Sequence, residues 1–195
     1  MSQAPSTKAS NLEIEVKLAC DDLDRLRNAG ITLTLKTPRH FEDNWLLDLR
    51  DRSLLEKGAA LRVRSVNGKG SMTYKGMVQE SAESRLKVRE EIQTSVDEPD
   101  QAIELFERLG YHRSFRYQKY RTGYRATLNG YAFKVELDET PMGNFIEIEG
   151  DEASVANALD VAGFASDEII RDSYPELQAA RCKAKGIPLE DLVFK

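Results

Sequence analysis

Strict alternation of charged and apolar residues constrains this chain more than any other feature of its sequence. In the stretch 11–19, Glu13, Glu15 and Lys17 share one face of an extended strand, because successive side chains of a strand point to opposite sides. The same pattern recurs along the chain and predicts about eight strands, with a break at Pro38. The predicted strands are 11–19, 31–37, 40–49, 59–66, 71–75, 83–93, 112–126, 131–138 and 145–149.

The charged faces repeatedly carry neighbouring residues of one sign. These pairs are Glu13/Glu15, Arg62/Arg64, Lys87/Arg89, Lys119/Arg121 and Glu147/Glu149. A surface that serves only solubility mixes signs, because like charges side by side repel. For any single strand, the alternative is that its charged face is the solvent-exposed face of an ordinary antiparallel sheet. Taken together, the pairs indicate faces that meet counter-ions or a ligand.

About eight strands can close into a barrel without exposed edges, with an interior wide enough for a small ligand. Amphipathic helices predicted at 21–29, 97–109 and 152–162 would cover its apolar outside, and a further helix is predicted at 174–185. The predicted fold class is therefore α+β: an eight-stranded antiparallel β-barrel with a polar, charged lumen and a jacket of α-helices.

The length of 195 residues suits one domain. We expect a mobile N-terminal tail at 1–10, a single barrel domain at 11–186 and a C-terminal tail at 187–195. The last helix and the C-terminal tail could pack on the barrel or on a partner subunit, or the tail could be exposed. The sequence favours neither a monomer nor a homodimer.

The charge balance argues against some classes of partner. With 28 basic and 33 acidic residues, the net charge of −5 disfavours nucleic acid and anionic membrane as partners. No apolar run of roughly 18 residues is present to span a membrane. The two cysteines, Cys20 and Cys182, cannot form a disulfide framework or a zinc site by themselves, so we expect reduced thiols and a cytoplasmic location.

Carboxylates on the charged faces are hard oxygen ligands of the kind that Mg²⁺ or Mn²⁺ prefers. No histidine lies near these motifs, which argues against zinc. The predicted metal ligands are Glu13, Glu15, Asp138, Glu147 and Glu149.

Basic residues on the same faces would neutralise an elongated polyphosphate, with arginines binding in bidentate fashion. The predicted substrate-binding residues are Arg62, Arg64, Lys75, Lys87, Arg89, Lys119 and Arg121. Phosphoryl transfer needs mainly position and charge from a protein, together with a water aimed at phosphorus.

Three residues are candidates for catalytic roles. Lys17 could bind phosphate or hold the neighbouring carboxylates in place. The attacking water could be activated by Glu91, by Glu136 or by a lysine with a lowered pKa. We place the tyrosines at 117, 120 and 124 on the barrel exterior, with an RNA-stacking surface as the alternative.

The motif Glu13-Ile-Glu15-Val-Lys17 resembles the N-terminal E-x-E-x-K signature of the CYTH family, the triphosphate tunnel metalloenzymes. The similarity covers most of the chain, from about residue 11 to 186. It continues in order through Leu61-Arg62-Val-Arg64, Thr73-Tyr-Lys75-Gly76, Lys87-Val-Arg89-Glu-Glu91, Lys119-Tyr-Arg121, Glu136-Leu-Asp138 and Glu147-Ile-Glu149. The resemblance implies an eight-stranded tunnel, a divalent metal held by acidic residues such as Glu13, Glu15, Glu147 and Glu149, and a triphosphate bound by the basic ones.

The family includes thiamine triphosphatases, inorganic triphosphatases, class IV adenylyl cyclases and capping-type RNA triphosphatases. We therefore expect a metal-dependent triphosphatase acting on inorganic triphosphate or a small organic triphosphate. One alternative is an adenylyl cyclase that makes cyclic AMP and pyrophosphate from ATP. Another is a non-catalytic module that binds polyphosphate.

Overall fold

The computed structural model describes residues 12–19, 23–79 and 85–195. Several sequence predictions fall outside these ranges. They are the tail at 1–10, residue 11 of the first predicted strand, Cys20, the start of the helix predicted at 21–29 and residues 83–84 of the strand predicted at 83–93.

Eight antiparallel strands close into a barrel, so the predicted fold class is confirmed. The strands are β1 (Leu12–Leu18), β2 (Thr32–Leu49), β3 (Ala60–Val66), β4 (Lys69–Gln79), β5 (Lys87–Val96), β6 (Tyr111–Leu128), β7 (Tyr131–Thr140) and β8 (Gly143–Glu149). Their order around the barrel is β5-β4-β3-β2-β6-β7-β8-β1. Residues 12–15 of β1 pair with residues 87–90 of β5, which closes the ring. A short strand, β9 (Ile169–Ile170), pairs with the end of β1.

The predicted break at Pro38 is wrong, because β2 runs through it as one strand of 18 residues. Its pairing with β6 is irregular between Leu35 and Thr37 and again between Thr37 and His40. Proline has no N–H to donate to a neighbouring strand and is tolerated at such irregularities. Pro38 therefore interrupts the ladder without ending the strand.

Most of the helices cover the apolar outside of the barrel, as the sequence predicts. They are α1 (Leu23–Asn28), a single turn α2 (Ser53–Glu56), α3 (Pro99–Arg108), α4 (Glu152–Val161) and α5 (Tyr174–Ala184). One core joins α1 and α4 to the outer faces of β1, β7 and β8. Its fully buried members include Val16, Leu26, Val135, Ile146, Ile148 and Leu159. A smaller core packs Ile103 of α3 against Leu47 and Val63.

The last helix lies at one end of the barrel and not along its side. α5 begins at Ser173, whose backbone N–H and hydroxyl both donate to the Glu176 carboxylate. Tyr174 of α5 packs with side chains of the barrel and of the C-terminal tail in a buried, mainly aromatic group that we call the plugged end. Its members are Phe115, Tyr117, Phe145, Tyr174 and Leu192. Phe115 shares a strand face with Lys119, because their spacing is even. The plugged end therefore occupies the lumen itself.

The C-terminal tail packs on the barrel. The Leu192 N–H donates to the Arg116 carbonyl at 2.9 Å, and the Gln118 N–H donates to the Leu192 carbonyl at 2.8 Å. The Leu192 side chain is 1% exposed within the plugged end. Of the arrangements that the sequence left open for this segment, the structure has the one packed on the barrel of the same chain.

Across the described ranges, no helix is long and apolar enough to cross a membrane. Cys182 is a buried free thiol.

Candidate functional site: the charged lumen

The charged faces of the strands meet inside the barrel. Side chains of β1, β2, β6, β7 and β8 form one set of ion pairs, and those of β1, β4 and β5 form another. The predicted site residues all lie on the lumen faces of their strands, but Glu149 pairs with Lys134 at a half-exposed position. The others are Glu13, Glu15, Lys17, Arg62, Arg64, Lys75, Lys87, Arg89, Glu91, Lys119, Arg121, Glu136, Asp138 and Glu147. Their roles in metal and substrate binding stay predictions.

The first set centres on the Asp138 cluster, which comprises Lys119, Arg121, Glu136, Asp138 and Glu147. Lys17 of β1 and Glu42 of β2 pair with members of this cluster. The Asp138 carboxylate is fully buried and accepts from Lys119 Nζ at 2.7 Å and from Arg121 Nε and Nη2, each at 2.6 Å. Tyr174 of α5 adds a fourth hydrogen bond through its hydroxyl, at 2.6 Å. Arg121 also pairs with Glu136 and Glu147.

The basic members of the Asp138 cluster keep the Asp138 carboxyl ionised. Burial alone would raise the pKa of Asp138, but the charges of Arg121 and Lys119 outweigh it and lower that pKa. Since Asp138 already accepts four hydrogen bonds, its geometry is that of a group that positions Lys119 and Arg121.

The second set is the Glu13 cluster, which comprises Glu13, Glu15, Lys75, Lys87, Arg89 and Glu91. Lys75 Nζ lies 2.7 Å from both oxygens of Glu13 and 2.7 Å from Glu91 Oε2. Arg89 bridges the two carboxylates of β1, donating to Glu13 at 3.0 Å and to Glu15 at 3.1 Å. The cluster thus ties three neighbouring strands together across the lumen.

Lys87 is the most loosely held base of the Glu13 cluster. Its Nζ lies 3.8 Å from the Glu15 carboxylate, a longer contact than those of Lys75 and Arg89. Burial and the nearby charge of Arg89 lower the pKa of Lys87. Its amine is therefore the one in this cluster most easily redirected to another anion.

The two arginines of β3 have different surroundings. Arg64 donates to Asn44 at 2.8 Å and to the Glu42 carboxylate at 3.0 Å. Among the residues that the structure describes, Arg62 donates only to the hydroxyls of Tyr117 at 3.4 Å and Thr73 at 3.1 Å, and its shielded Nε has no partner. Arg62 thus carries a charge that no carboxylate of the described residues neutralises at ion-pair distance.

Lys17 links the Asp138 cluster to the plugged end. Its Nζ donates to the Asp172 carbonyl at 3.0 Å and lies 3.6 Å from Glu147 Oε1. It also sits 4.2 Å from the centre of the Tyr174 ring, a cation–π contact. This geometry suits the role of holding a carboxylate, one of the two roles that the sequence left open.

The donor set fits a hard cation in chemistry, since its members are carboxylates, but they are not gathered around one point. Glu15 and Glu149 are directly opposite in the β1–β8 pair, an arrangement of like charges that is unfavourable without a cation between them. Burial raises the pKa of Glu149. The charge of Lys134 lowers this pKa, but the carboxylates of Glu136 and Glu13 raise it further, and the net shift is upward. In the described part of the chain, no three His, Cys, Asp or Glu side chains are already grouped to hold an ion. Binding one would require these carboxylates to turn away from their basic partners.

Sequence reasoning placed Tyr117 wrongly on the barrel exterior. Its hydroxyl meets Arg62, and its ring packs on Tyr174 inside the plugged end. The reason is strand parity, since Tyr117 is two residues from Lys119 and must share its lumen face. Tyr120 and Tyr124 do lie outside, against Phe41 and the outer core respectively.

Other lumen residues were missed. Glu42 and Asn44 of β2 contact Lys119 and Arg64, and the alternation His40, Glu42, Asn44 was a signal that could have found them. Thr73 bridges Arg62 and Gln93. Tyr174 left no signal, because it enters from a helix remote in sequence.

Comparisons with known proteins agree with this architecture. The model of the CYTH domain matches residues 11–169. A protein of Methanocaldococcus jannaschii named "Putative adenylate cyclase MJ0240" is 25% identical over 179 residues, covering 86% of this chain and 98% of that protein.

Two solved structures share the fold. A "putative adenylate cyclase" from Vibrio parahaemolyticus is 20% identical with a TM-score of 0.67, covering 88% of this chain and 99% of that one. The Hippeastrum protein HpAC1 is 19% identical with a TM-score of 0.60, covering 92% of this chain and 99% of that one. With the domain match spanning most of the sequence and a closed eight-stranded barrel lined by its motif residues, this chain belongs to the CYTH family, whose members are triphosphatases and adenylyl cyclases.

Proposed function

We propose that this protein is a divalent-metal-dependent triphosphatase that hydrolyses inorganic triphosphate or a small organic triphosphate in its lumen. The observation that carries the proposal is that basic side chains line the lumen on opposite walls, with Arg89 beside Glu13 and Lys119 beside Asp138, while two carboxylates, Glu15 and Glu149, lie directly opposite each other. A polyanion would neutralise the basic side chains, and a divalent cation would neutralise the carboxylates. A metal–triphosphate complex therefore matches both sets of charges.

Arg62 and Lys87 are the first phosphate ligands in this proposal. Arg62 has no carboxylate partner within the described ranges, and Lys87 has only a long contact to one. Lys119 and Arg121, fixed by Asp138, present the remaining charge on the opposite wall. Fixed cations stabilise the charge that spreads over phosphate oxygens as the bond to phosphorus breaks.

Four carboxylates would hold the Mg²⁺ or Mn²⁺ ion: Glu13, Glu15, Glu147 and Glu149. When bound, the metal would neutralise phosphate charge and orient the triphosphate. Asp138, which the sequence also suggested as a ligand, is assigned instead to positioning Lys119 and Arg121.

The proton of the attacking water needs an acceptor on this chain. Burial opposes ionisation of Glu91, but its ion pair with Lys75 outweighs burial and lowers its pKa, which makes it a weak base. Glu136 is held by Arg121 and by Lys134, the latter at 2.8 Å. Lys87 must keep its proton to bind phosphate, so Glu91 and Glu136 stay the candidate acceptors in this proposal.

An adenylyl cyclase is the second candidate, favoured by the name of the Methanocaldococcus jannaschii relative. The Hippeastrum protein HpAC1 is described as a "putative adenylyl cyclase" with a dominant triphosphatase activity, which favours hydrolysis as the first candidate. Both reactions act on a triphosphate group and would use the same lumen cations.

Product analysis separates the candidates. The purified protein is incubated with Mg²⁺ or Mn²⁺ and, in separate reactions, inorganic triphosphate, thiamine triphosphate and ATP. Orthophosphate release supports the proposal, and the relative rates name the substrate. Cyclic AMP with pyrophosphate from ATP would replace it with the cyclase. Tight triphosphate binding without any product would leave a binding module.

A further inference from the structure

Arg62 contacts the hydroxyl of a tyrosine, whereas the other basic residues predicted to bind phosphate contact carboxylates. Each of the other predicted phosphate-binding residues lies within ion-pair distance of an acidic side chain. Tyr117, by contrast, offers Arg62 a phenol oxygen at 3.4 Å. Arg62 also retains an Nε–H that is shielded from solvent and has no partner among the described residues. The guanidinium therefore has a charge that no carboxylate in the described ranges pairs with at close range, and an unused donor.

Tyr117 is itself buried among positive charges. It is 6% exposed, and the groups that face it are Arg62 and Arg64 from β3, Lys119 from β6 and Tyr174 from α5. The acidic group beside these cations is Glu42 from β2. Glu42 is already engaged by Arg64 at 3.0 Å and by Lys119 at 3.6 Å. The balance of charge around the phenol is therefore positive.

The two tyrosines of the plugged end respond to their surroundings in opposite ways. Burial would raise the pKa of Tyr117, but Arg62, Arg64 and Lys119 outweigh burial and lower it to about 8. Burial also raises the pKa of Tyr174, and the Glu147 and Asp138 carboxylates raise it further, well above its usual range. Tyr174 thus provides a matched comparison within one side-chain cluster.

We propose that Arg62 and Tyr117 form one recognition pair for the triphosphate, in which the neutral phenol donates a hydrogen bond to a phosphate oxygen while the phenolate competes with phosphate for Arg62. This inference rests on the proposed function, because it describes how that site recognises its anion. Arg62 supplies the charge and its free Nε–H, and Tyr117 supplies a neutral O–H donor.

This pair links triphosphate binding to the protonation of Tyr117. Below the pKa of Tyr117 the phenol is already protonated, so triphosphate binds without taking up a proton at this residue. Above it, the phenolate must first gain a proton from solvent, and affinity falls by up to about tenfold per pH unit. Phenylalanine at this position would remove the linkage along with the hydrogen bond.

The first test is a spectroscopic titration of the free protein. Phenolate absorbance in the near ultraviolet is followed against pH for the wild type, Tyr117→Phe and Tyr174→Phe. One tyrosine should ionise near pH 8 in the wild type and in Tyr174→Phe but not in Tyr117→Phe. Saturating inorganic triphosphate should move that ionisation to higher pH. An early ionisation that survives in Tyr117→Phe, or that triphosphate leaves unmoved, would overturn the inference.

The second test measures the affinity for inorganic triphosphate against pH in EDTA and, separately, with Mg²⁺, while orthophosphate release is followed. Ionisation of the triphosphate itself is common to all variants, so the ratio of wild-type to Tyr117→Phe affinity isolates the phenol. That ratio should be several-fold above one near pH 7 and decline above pH 8. A constant ratio overturns this inference alone, whereas a wild type that neither binds nor hydrolyses triphosphate overturns the proposed function with it.

Discussion

Asp138 and Arg121 face each other in the lumen through two parallel hydrogen bonds, Nε to Oδ1 and Nη2 to Oδ2, each 2.6 Å long. The carboxylate is fully buried. Breaking a buried ion pair from one side leaves an uncompensated charge, which costs about 3–5 kcal/mol. Asp138→Asn should therefore lower the free energy of unfolding by roughly 3 kcal/mol, measured by urea denaturation at neutral pH.

Asp160→Asn is the control for this prediction. Asp160 pairs with Arg85, but its side chain is 63% exposed. Exposed ion pairs contribute about 0–1 kcal/mol. Equal losses in the two variants would contradict the view that Asp138 anchors the lumen cations.

Acid should destabilise the barrel partly through Glu42. Burial would raise the pKa of Glu42, but Lys119 and Arg64 outweigh it and hold that pKa well below its ordinary range. A carboxyl group with a lowered folded-state pKa adds stability above its unfolded pKa, about 4.3, and loses it as the pH falls towards the folded value. Glu42→Gln should therefore show a shallower fall in unfolding free energy below about pH 5.

Chemical denaturation across the acid range measures this slope. Glu104→Gln, at an exposed position on α3 paired with Arg108, should keep the slope of the wild type. A Glu42→Gln profile parallel to that of the wild type would contradict the linkage.

Two leucines of the C-terminal tail should differ sharply in their importance for stability. Leu192 is 1% exposed in the plugged end, whereas Leu189 is 55% exposed. Truncating a buried leucine costs about 2–5 kcal/mol, since transfer and cavity terms add. Leu192→Ala should lower the thermal midpoint by several degrees, while Leu189→Ala should leave it nearly unchanged. Similar midpoints for the two variants would mean that the tail does not contribute to the barrel in solution.

Arg62 should matter for triphosphate affinity more than its contacts suggest. Hydrogen bonds to charged groups contribute about 1.5–3 kcal/mol, which corresponds to roughly a 10- to 100-fold change in affinity. Arg62→Gln should weaken triphosphate binding by that factor with little effect on unfolding, because no carboxylate of the described residues is left unpaired. Arg116→Gln removes an arginine that pairs with Asp43 outside the lumen and should bind as the wild type does. Calorimetric titration compares the two, and equal affinities would place the anion elsewhere.

The sequence predicted the barrel because strand alternation is local. Glu13, Glu15 and Lys17 must share a face whatever the rest of the chain does. Closure followed from counting strands. The ion pairs between strands were not predicted, because the carboxylates were assigned to a metal and the basic residues to a polyphosphate. Pro38 misled the prediction because proline usually ends a strand, and only the pairing with β6 shows that an irregularity accommodates it.

The plugged end could not be predicted in the same way. Tyr174 reaches Asp138 from a helix 36 residues further along the chain, and no local pattern encodes that contact. Tyr117 was misplaced although its parity with Lys119 was available, because its aromatic character suggested packing outside. Whether a carboxylate binds metal or holds a base also depends on the partner across the lumen, as Asp138 shows.

Metal-dependent phosphate release tests the account most directly. The wild type is stripped with EDTA, given inorganic triphosphate, and assayed for orthophosphate before and after Mg²⁺ or Mn²⁺ is restored, in parallel with Glu15→Gln. We expect no turnover without metal, rapid release once metal returns, and a folded Glu15→Gln variant that stays inactive. Release that persists in EDTA, or that is undiminished in Glu15→Gln, would contradict a metal-dependent triphosphatase centred on this lumen.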